Sequence, residues 1–311
     1  MTPSPAAIYI TKPAFLDELC AELGEVTDII GNMVFSPVKK RDVCFALDVW
    51  INPVVVHFES ISEAANLLRK AGRFWHLDPQ SNVRRSLLIA EQLRKTPNLI
   101  RSFPIEDPIP EVGCFTLLDK NTLVYATKRW KKWPLGICQF IEDKKNPPNR
   151  AYLKLWEALS LLDTYPKKGE TAVDLGASPG GWTYVMQQLG THVTSIDKAA
   201  LDPAIAALPN IKYLSQSAFA LTPSEWLNDI NWLLSDIACY PERLYEYLTK
   251  WLEANKAKQI IFTIKLQGET NLEMIKRFQA IPNSRTTHLY HNKHEATFFY
   301  PAPASLFPDF D

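Results

Sequence analysis

Hydrophobic and polar positions change rhythm about halfway along the 311-residue chain. In the first 126 residues the apolar runs are short. Residues 8–11 predict a strand and 14–23 an amphipathic helix. The runs 28–35, 43–50 and 54–58 predict strands, while 62–74 and 83–95 carry the 3.6-residue apolar period of helices. Residues 114–118 and 122–126, joined by Asp119-Lys120-Asn121, predict a hairpin. The mixture implies a small α+β domain with two helices against a mostly antiparallel sheet.

From residue 150 onward, apolar runs of strand length alternate with helical stretches. The expected order is helix 150–162, strand 171–175, helix 182–189, strand 192–196, strands 211–214 and 232–235, and helix 241–254. Strand 259–264, helix 271–280 and strands 286–290 and 296–300 follow. This predicts an α/β domain, a doubly wound Rossmann-like sheet closed by an antiparallel hairpin. Asn146-Pro147-Pro148 reads as a linker, dividing the chain into 1–148 and 149–311.

The stretch TAVDLGASPGGWTYVMQQLGTHVTSID, residues 171–197, is the most informative. Gly176, Gly180 and Gly181 follow a buried strand and let the backbone turn sharply and approach a ligand. Asp197 falls where a doubly wound sheet offers a carboxylate to ribose hydroxyls. The loop reads Gly-Ala-Ser-Pro-Gly-Gly, with Pro179 stiffening the turn, and lacks the G-x-G-x-x-G spacing that seats a pyrophosphate. It suits a nucleoside ligand without phosphate, such as S-adenosylmethionine (SAM). The glycines alone would also fit the strand–turn–helix of many α/β proteins.

Composition adds limits. Hydrophobic residues make up 46% and charged residues 22%, an ordinary globular balance. Lys+Arg 34 against Asp+Glu 34 gives no global polybasic character, although 128–150 holds seven basic and two acidic residues. Within it, Lys128-Arg129-Trp130-Lys131-Lys132-Trp133 interleaves cations with indoles, a mixture that can contact phosphates and stack on unpaired bases. A lysine-protected sheet edge would read the same way. Cys20, Cys44, Cys114, Cys138 and Cys239 are scattered and form no C-x-x-C pair, so neither a disulfide framework nor a zinc site is expected. With no apolar run of membrane length and no signal-peptide pattern in MTPSPAAIYITK, a cytoplasmic location is expected.

The string VDLGASPGGW resembles the SAM loop of the FtsJ-like ribose 2′-O-methyltransferases. NRAYLKLWEAL, LLSDIACYP, FTIKLQGE and LYHNKHEATFF are similar to further stretches of that family, so the resemblance spans about 149–300. It implies SAM as cofactor, contacted by Asp174, Gly176, Ser178, Pro179, Gly180, Gly181, Trp182, Asp197, Ser217 and Asp236. It also implies a Lys-Asp-Lys-Glu tetrad at Lys154, Asp236, Lys265 and Glu295. Where the family has an adenine-contacting aspartate this chain has Ser217, so the adenine must be held differently. Members acting on large-subunit ribosomal RNA carry an N-terminal region with a THUMP-like RNA-binding domain. IYITKPAFLDELCAEL is similar to its opening strand and helix, which makes RNA the expected partner.

Methyl transfer to a ribose 2′-hydroxyl needs two atoms aligned and one proton removed. A lysine can take that proton only when neutral, so its pKa must fall from about 10.4. Lys265 is the expected base, Lys154 tunes and positions it, Asp236 lies near the sulfonium, and Glu295 orients Lys265. Two rivals stay open: an RNA-binding protein that has lost turnover, and a methyltransferase for a non-RNA substrate. Asn146-Pro147-Pro148-Asn149 lacks the aromatic of amine-methylating motifs and precedes the glycine loop. His288, His291 and His294 lack partners at ligand spacing, so no metal is expected.

Overall fold

The computed structural model describes residues 5–162, 164–226 and 229–310 and leaves out the Glu225 side chain. Residues 1–4, which open MTPSPAAIYITK, lie outside the described residues. Two compact units emerge: Met1–Arg101, Glu106–Gln139 and Phe307–Asp311 in the first, Ser102–Ile105 and Phe140–Leu306 in the second. The division thus falls at 139/140, and Asn146-Pro147-Pro148 lies inside the second unit.

The first unit runs β1 (Ala7–Ile10), α1 (Leu16–Leu23), β2 (Asp28–Ile30), β3 (Met33–Ser36), β4 (Asp48–Ile51), β5 (Val54–His57), α2 (Ile61–Ala71), β6 (Trp75–Leu77), α3 (Val83–Glu91), β7 (Gly113–Leu117), β8 (Thr122–Ala126) and β9 (Lys128–Arg129). It holds two sheets where the sequence suggested one: an antiparallel sheet β2-β3-β1-β4-β9 and a four-stranded sheet β5-β8-β7-β6. Side-chain alternation along β7 and β8 shows how they pack. Cys114, Val124 and Ala126 join Ile8, Phe35 and Trp50 of the first sheet in one core. Phe115, Leu117 and Leu123 face Ala64, Leu68 and Ile89 of the helices in another.

Two strand expectations are corrected. The 28–35 run is a hairpin, because Gly31 at φ 59° turns the chain between β2 and β3, whose Ile30 and Met33 pair. The 43–50 run becomes strand only at Asp48. Upstream, the Cys44 and Phe45 N–H groups donate to the buried Glu22 carboxylate at 2.8 and 2.9 Å, so they are not available to a strand neighbour.

The basic–aromatic segment 128–133 is also reassigned. Lys128 and Arg129 form β9 against β4. The Arg129 guanidinium is buried and meets Asp48 at 3.1 Å. Lys131 is buried with its ammonium 3.6 Å from the Trp130 ring centre, and Trp133 is interior, donating to Leu99 O at 3.3 Å. Arg129, Lys131 and Trp133 therefore serve the interior of the first unit, and only Lys128 and Lys132 of the six are exposed. An unpaired buried guanidinium would be costly, which is why the run folds inward onto Asp48.

The second unit comprises α4 (Tyr152–Leu162), β10 (Thr171–Leu175), α5 (Gly181–Gln188), β11 (His192–Asp197), α6 (Pro203–Ala206), β12 (Ile211–Ser215), β13 (Ile230–Ser235), α7 (Pro241–Ala254), β14 (Ala257–Lys265), α8 (Leu272–Gln279), β15 (Arg285–Thr287) and β16 (Glu295–Tyr300). Its sheet has the order β12-β11-β10-β13-β14-β16-β15. The first five strands are parallel, and β16 and β15 close it antiparallel. Strand β10 buries Ala172–Leu175, as a central parallel strand covered on both faces must. The strand order reverses at β10, so the crevice above its carboxyl end is the natural ligand site. Among the described residues no helix is long and apolar enough to cross a membrane.

Candidate active site

The glycine loop leaves β10 and is tied to the end of β11. Gly176 N donates to Ile196 O at 2.8 Å, Ser178 N to Asp197 Oδ2 at 3.0 Å, and Ser178 Oγ to Ala200 O at 2.8 Å. Asp197 Oδ1 also accepts from Ala199 N at 2.9 Å. One Asp197 oxygen thus accepts from the glycine loop and the other from the segment after β11, and each has a second lone pair. Gly176 at φ 73° is required twice over, since an added Cβ would also meet Ile237 Cγ1 at 2.6 Å. Ile237 directly follows Asp236, so this contact sets the loop beside the charged cluster.

Beyond the loop, α5 carries the devices that fix α4. Trp182 Nε1 donates to Ala151 O at 2.9 Å, and a Cβ on Gly181 would meet Asn149 Oδ1 at 2.4 Å. Asp143 accepts from Tyr184 Oη at 2.9 Å and from Lys145 N and Asn146 N at 3.0 Å, which pins 143–146 to the same helix. The stretch expected to be a linker is therefore an anchored loop leading into α4. Trp182, expected at the cofactor, is buried and holds this loop.

Asp174, also expected at the cofactor, is likewise interior. Its carboxyl is buried and takes Thr183 Oγ1 at 2.7 Å, while Thr183 meets Ser195 Oγ at 2.8 Å. The three side chains tie β10, α5 and β11 together below the ligand crevice. Burial, with the Asp236 charge adding to it against the Thr183 hydrogen bond, pushes the Asp174 carboxyl up to about 7. Pro179 and Gly180 continue the loop, Gly180 at φ 116° beneath Ile205. Ser217 opens a 3-10 turn over Ala218–Ala220 after β12.

The four tetrad residues, 141 positions apart at their extremes, converge. Lys154 Nζ donates to Asp236 Oδ1 and Oδ2 at 2.8 and 2.7 Å and lies 3.1 Å from Glu295 Oε1. Lys265 Nζ reaches Asp236 Oδ1 and Glu295 Oε2, both at 2.5 Å. The sheet explains half of this, because Lys265 and Glu295 are register partners across β14 and β16. Asp236 caps the neighbouring β13, and α4 brings in Lys154. Two ammoniums and two carboxylates alternate, which satisfies every charge locally.

This pairing sets the proton affinities. Burial would raise Glu295, but the Lys154 and Lys265 charges outweigh it and hold the carboxyl down at about 2. Burial likewise acts to lower Lys265, and the Asp236 and Glu295 charges overcome it, leaving Lys265 above its ordinary value. In the free protein Lys265 is thus an ammonium. Cys239, on the same rim, is pushed up to about 11 by burial and is no nucleophile.

Glu157 was not among the expected site residues. Lys154 and Glu157 are the two charged residues of an eleven-residue helix buried along its whole length. That pattern, opposite charges three apart in an otherwise apolar helix, was the available signal. The histidines also separate: His288 Nδ1 is 2.7 Å from Glu295 O, His291 Nδ1 is 2.8 Å from Glu157 Oε2, and His294 is exposed.

The FtsJ-like methyltransferase family model matches residues 147–281. Among curated proteins, "Ribosomal RNA large subunit methyltransferase M" of Halorhodospira halophila is 37% identical over 183 residues, covering 56% of this chain and 52% of the relative. The protein of that name from Azoarcus sp. is 29% identical over 187 residues, covering 55% and 50%. The chain spans about half the length of the curated relatives it matches. Among solved structures, TrmN from Thermus thermophilus aligns over 94% of this chain and 98% of its own, at 12% identity and a TM-score of 0.35. In the matched sequence, the sheet order and the glycine loop, residues 147–281 are similar to the FtsJ-like methyltransferase family.

Proposed function

We propose that this protein transfers the methyl group of SAM to a ribose 2′-hydroxyl of RNA, with ribosomal RNA as the substrate class. The observation that carries this reading is the closed Lys154–Asp236–Lys265–Glu295 cluster beside the glycine loop. The donor set fits SAM: a loop without pyrophosphate spacing, the Asp197 carboxylate for ribose hydroxyls, and Asp236 for a cationic centre. When bound, SAM supplies an activated methyl on a sulfonium, so the protein need only align and deprotonate the acceptor.

Lys265 takes the role of base. It is the more accessible ammonium, 21% exposed at the side chain against 10% for Lys154. Two carboxylates keep it protonated in the free protein, and a cationic ligand beside Asp236 weakens that hold. Lys154, with three carboxylate contacts, fixes Asp236 and Glu295 in place.

We assign RNA contact by the first unit to the carboxyl ends of α2 and α3. Arg69, Lys70, Arg73, Arg94 and Lys95 are exposed there, and Arg69 Nη1 donates to Gln92 O at 2.7 Å, which draws the two ends together. The Arg73 and Arg94 guanidiniums lie 5.1 and 5.3 Å from the Phe74 ring centre. Guanidiniums steadied on an aromatic ring suit phosphate contact, and the exposed Glu91 and Glu111 only partly offset their charge.

The test is transfer of tritium from methyl-labelled SAM to ribosomal RNA by wild type and Lys265→Ala. The expected result is an RNase-sensitive product bearing an alkali-resistant 2′-O-methyl linkage, lost in the variant while SAM affinity stays within a few-fold. Equal transfer by the variant sinks the base assignment, and a product that survives RNase sinks the substrate class. Calorimetry without SAM binding would instead favour an RNA-binding protein devoid of turnover.

A further inference from the structure

The geometry points to Glu157 as a positioning residue for the methyl-transfer site: from the buried face of α4 it clamps the 289–292 turn that presents Glu295 to the two lysines. The inference rests on the methyl-transfer reading and extends it to a residue that never meets the reacting atoms.

Glu157 accepts three donors from one turn. Oε1 takes Tyr290 N at 2.8 Å, and Oε2 takes His291 N at 2.9 Å and His291 Nδ1 at 2.8 Å. Its side chain is 4% exposed, so these bonds replace nearly all of its hydration. Inside the turn, Asn292 Oδ1 accepts from Leu289 N at 2.7 Å and Thr297 Oγ1 at 3.1 Å, which ties the turn back to β16. Glu295 starts β16. Its backbone oxygen lies 2.7 Å from His288 Nδ1, and its Oε1 is approached at 3.4 Å by Asn292 Nδ2 and Lys293 N.

Helix α4 therefore grips the closing hairpin at two points. Lys154 reaches the Glu295 carboxylate itself, and Glu157, one turn on, holds the backbone that delivers it. The two side chains share a helix face yet neither pairs with the other. With one grip removed, Glu295 gains freedom, and so do the ammoniums it aligns. A misplacement near 1 Å in such an array costs roughly a hundredfold in rate.

The experiment compares Glu157→Ala and Glu157→Gln with wild type, measuring kcat, KM for SAM, KM for RNA, and the thermal midpoint. A glutamine retains acceptor capacity for part of the turn, whereas alanine leaves all three donors unmet. The expected result is a kcat lowered by about tenfold to a hundredfold in Glu157→Ala, both KM values within about twofold, and recovery of most of the loss in Glu157→Gln. An unchanged kcat overturns the proposal. So does a fall in kcat that tracks a falling midpoint and rising KM values without recovery by glutamine. In parallel, the Glu295 carboxyl is titrated by NMR on protein carrying 13Cδ-labelled glutamate, and it must titrate higher in Glu157→Ala than in wild type. That readout does not depend on turnover, so inactive wild-type protein would defeat the function reading while the titration still decides the role of Glu157. Should Glu157→Ala fail to fold, Glu157→Asp, one methylene too short to span the gap, replaces it in both measurements under the same criteria.

Discussion

Replacing Glu295 with glutamine removes one of four alternating charges while keeping shape and volume. The Glu295 carboxyl sits at about 2 in the folded protein against 4.5 unperturbed. At 1.36 kcal/mol per unit, the ionised form contributes about 3 kcal/mol to stability at neutral pH. The sign follows from the lowered value: the contribution is complete above the unfolded pKa and is lost as pH falls through the folded one. By pH 3 about 2 of those 3 kcal/mol are gone. Glu295→Gln should therefore unfold about 3 kcal/mol more easily than wild type at pH 7, with the gap closing steadily toward pH 3. Denaturant unfolding followed by a probe within the second unit, at pH 7, 5 and 3, measures it. Activity supplies an independent reading. Glu295 is one of the two charges holding Lys265 protonated, so its loss should move the acid limb of the pH–rate profile to lower pH even as the plateau falls. A stability gap constant from pH 7 to pH 3, or an acid limb that stays put, refutes the electrostatic account of the cluster.

Asp174 has the opposite sign in a neighbouring window. Its carboxyl is raised from 3.8 to about 7, so the folded protein binds a proton that the unfolded chain releases, and stability is lost as pH climbs from 3.8 toward 7. Asp174→Asn should gain on wild type across that range in denaturant unfolding, and a difference independent of pH would contradict it. On the first unit, Arg73→Glu combined with Arg94→Glu should weaken binding of a ribosomal RNA fragment and make the slope of log K against log salt shallower by about two phosphate contacts. Filter binding at several salt concentrations decides it, and unchanged affinity and slope would move RNA contact elsewhere.

Several features were legible because they depend on neighbours along the chain. The glycines at 176, 180 and 181 announce a turn, and alternating strand and helix patterns announce a doubly wound sheet. The tetrad as a set was named through the family resemblance, while the strand pattern by itself put Asp236, just after β13, and Lys265, at the end of β14, on the carboxyl edge of the sheet. Patterns that read equally well two ways were not decided by sequence. The 128–133 run looked like a nucleic-acid face until the Asp48 carboxylate, 81 positions from Arg129, drew its guanidinium inside. The 43–50 run looked like one strand until Glu22 took the Cys44 and Phe45 amides.

By itself, then, the order of residues determined which elements form, in what sequence they enter the sheet, and which charged groups lie near its carboxyl edge, because period and turn chemistry are local. Only the tertiary structure decided the state of those groups. Whether Lys265 is an ammonium, whether Asp174 keeps its proton, and whether Glu157 faces water or the Tyr290–His291 amides depend on what is packed within a few ångströms. Desolvation and Coulomb attraction at that range oppose each other with comparable strength, and distance, which the linear chain does not carry, settles the outcome.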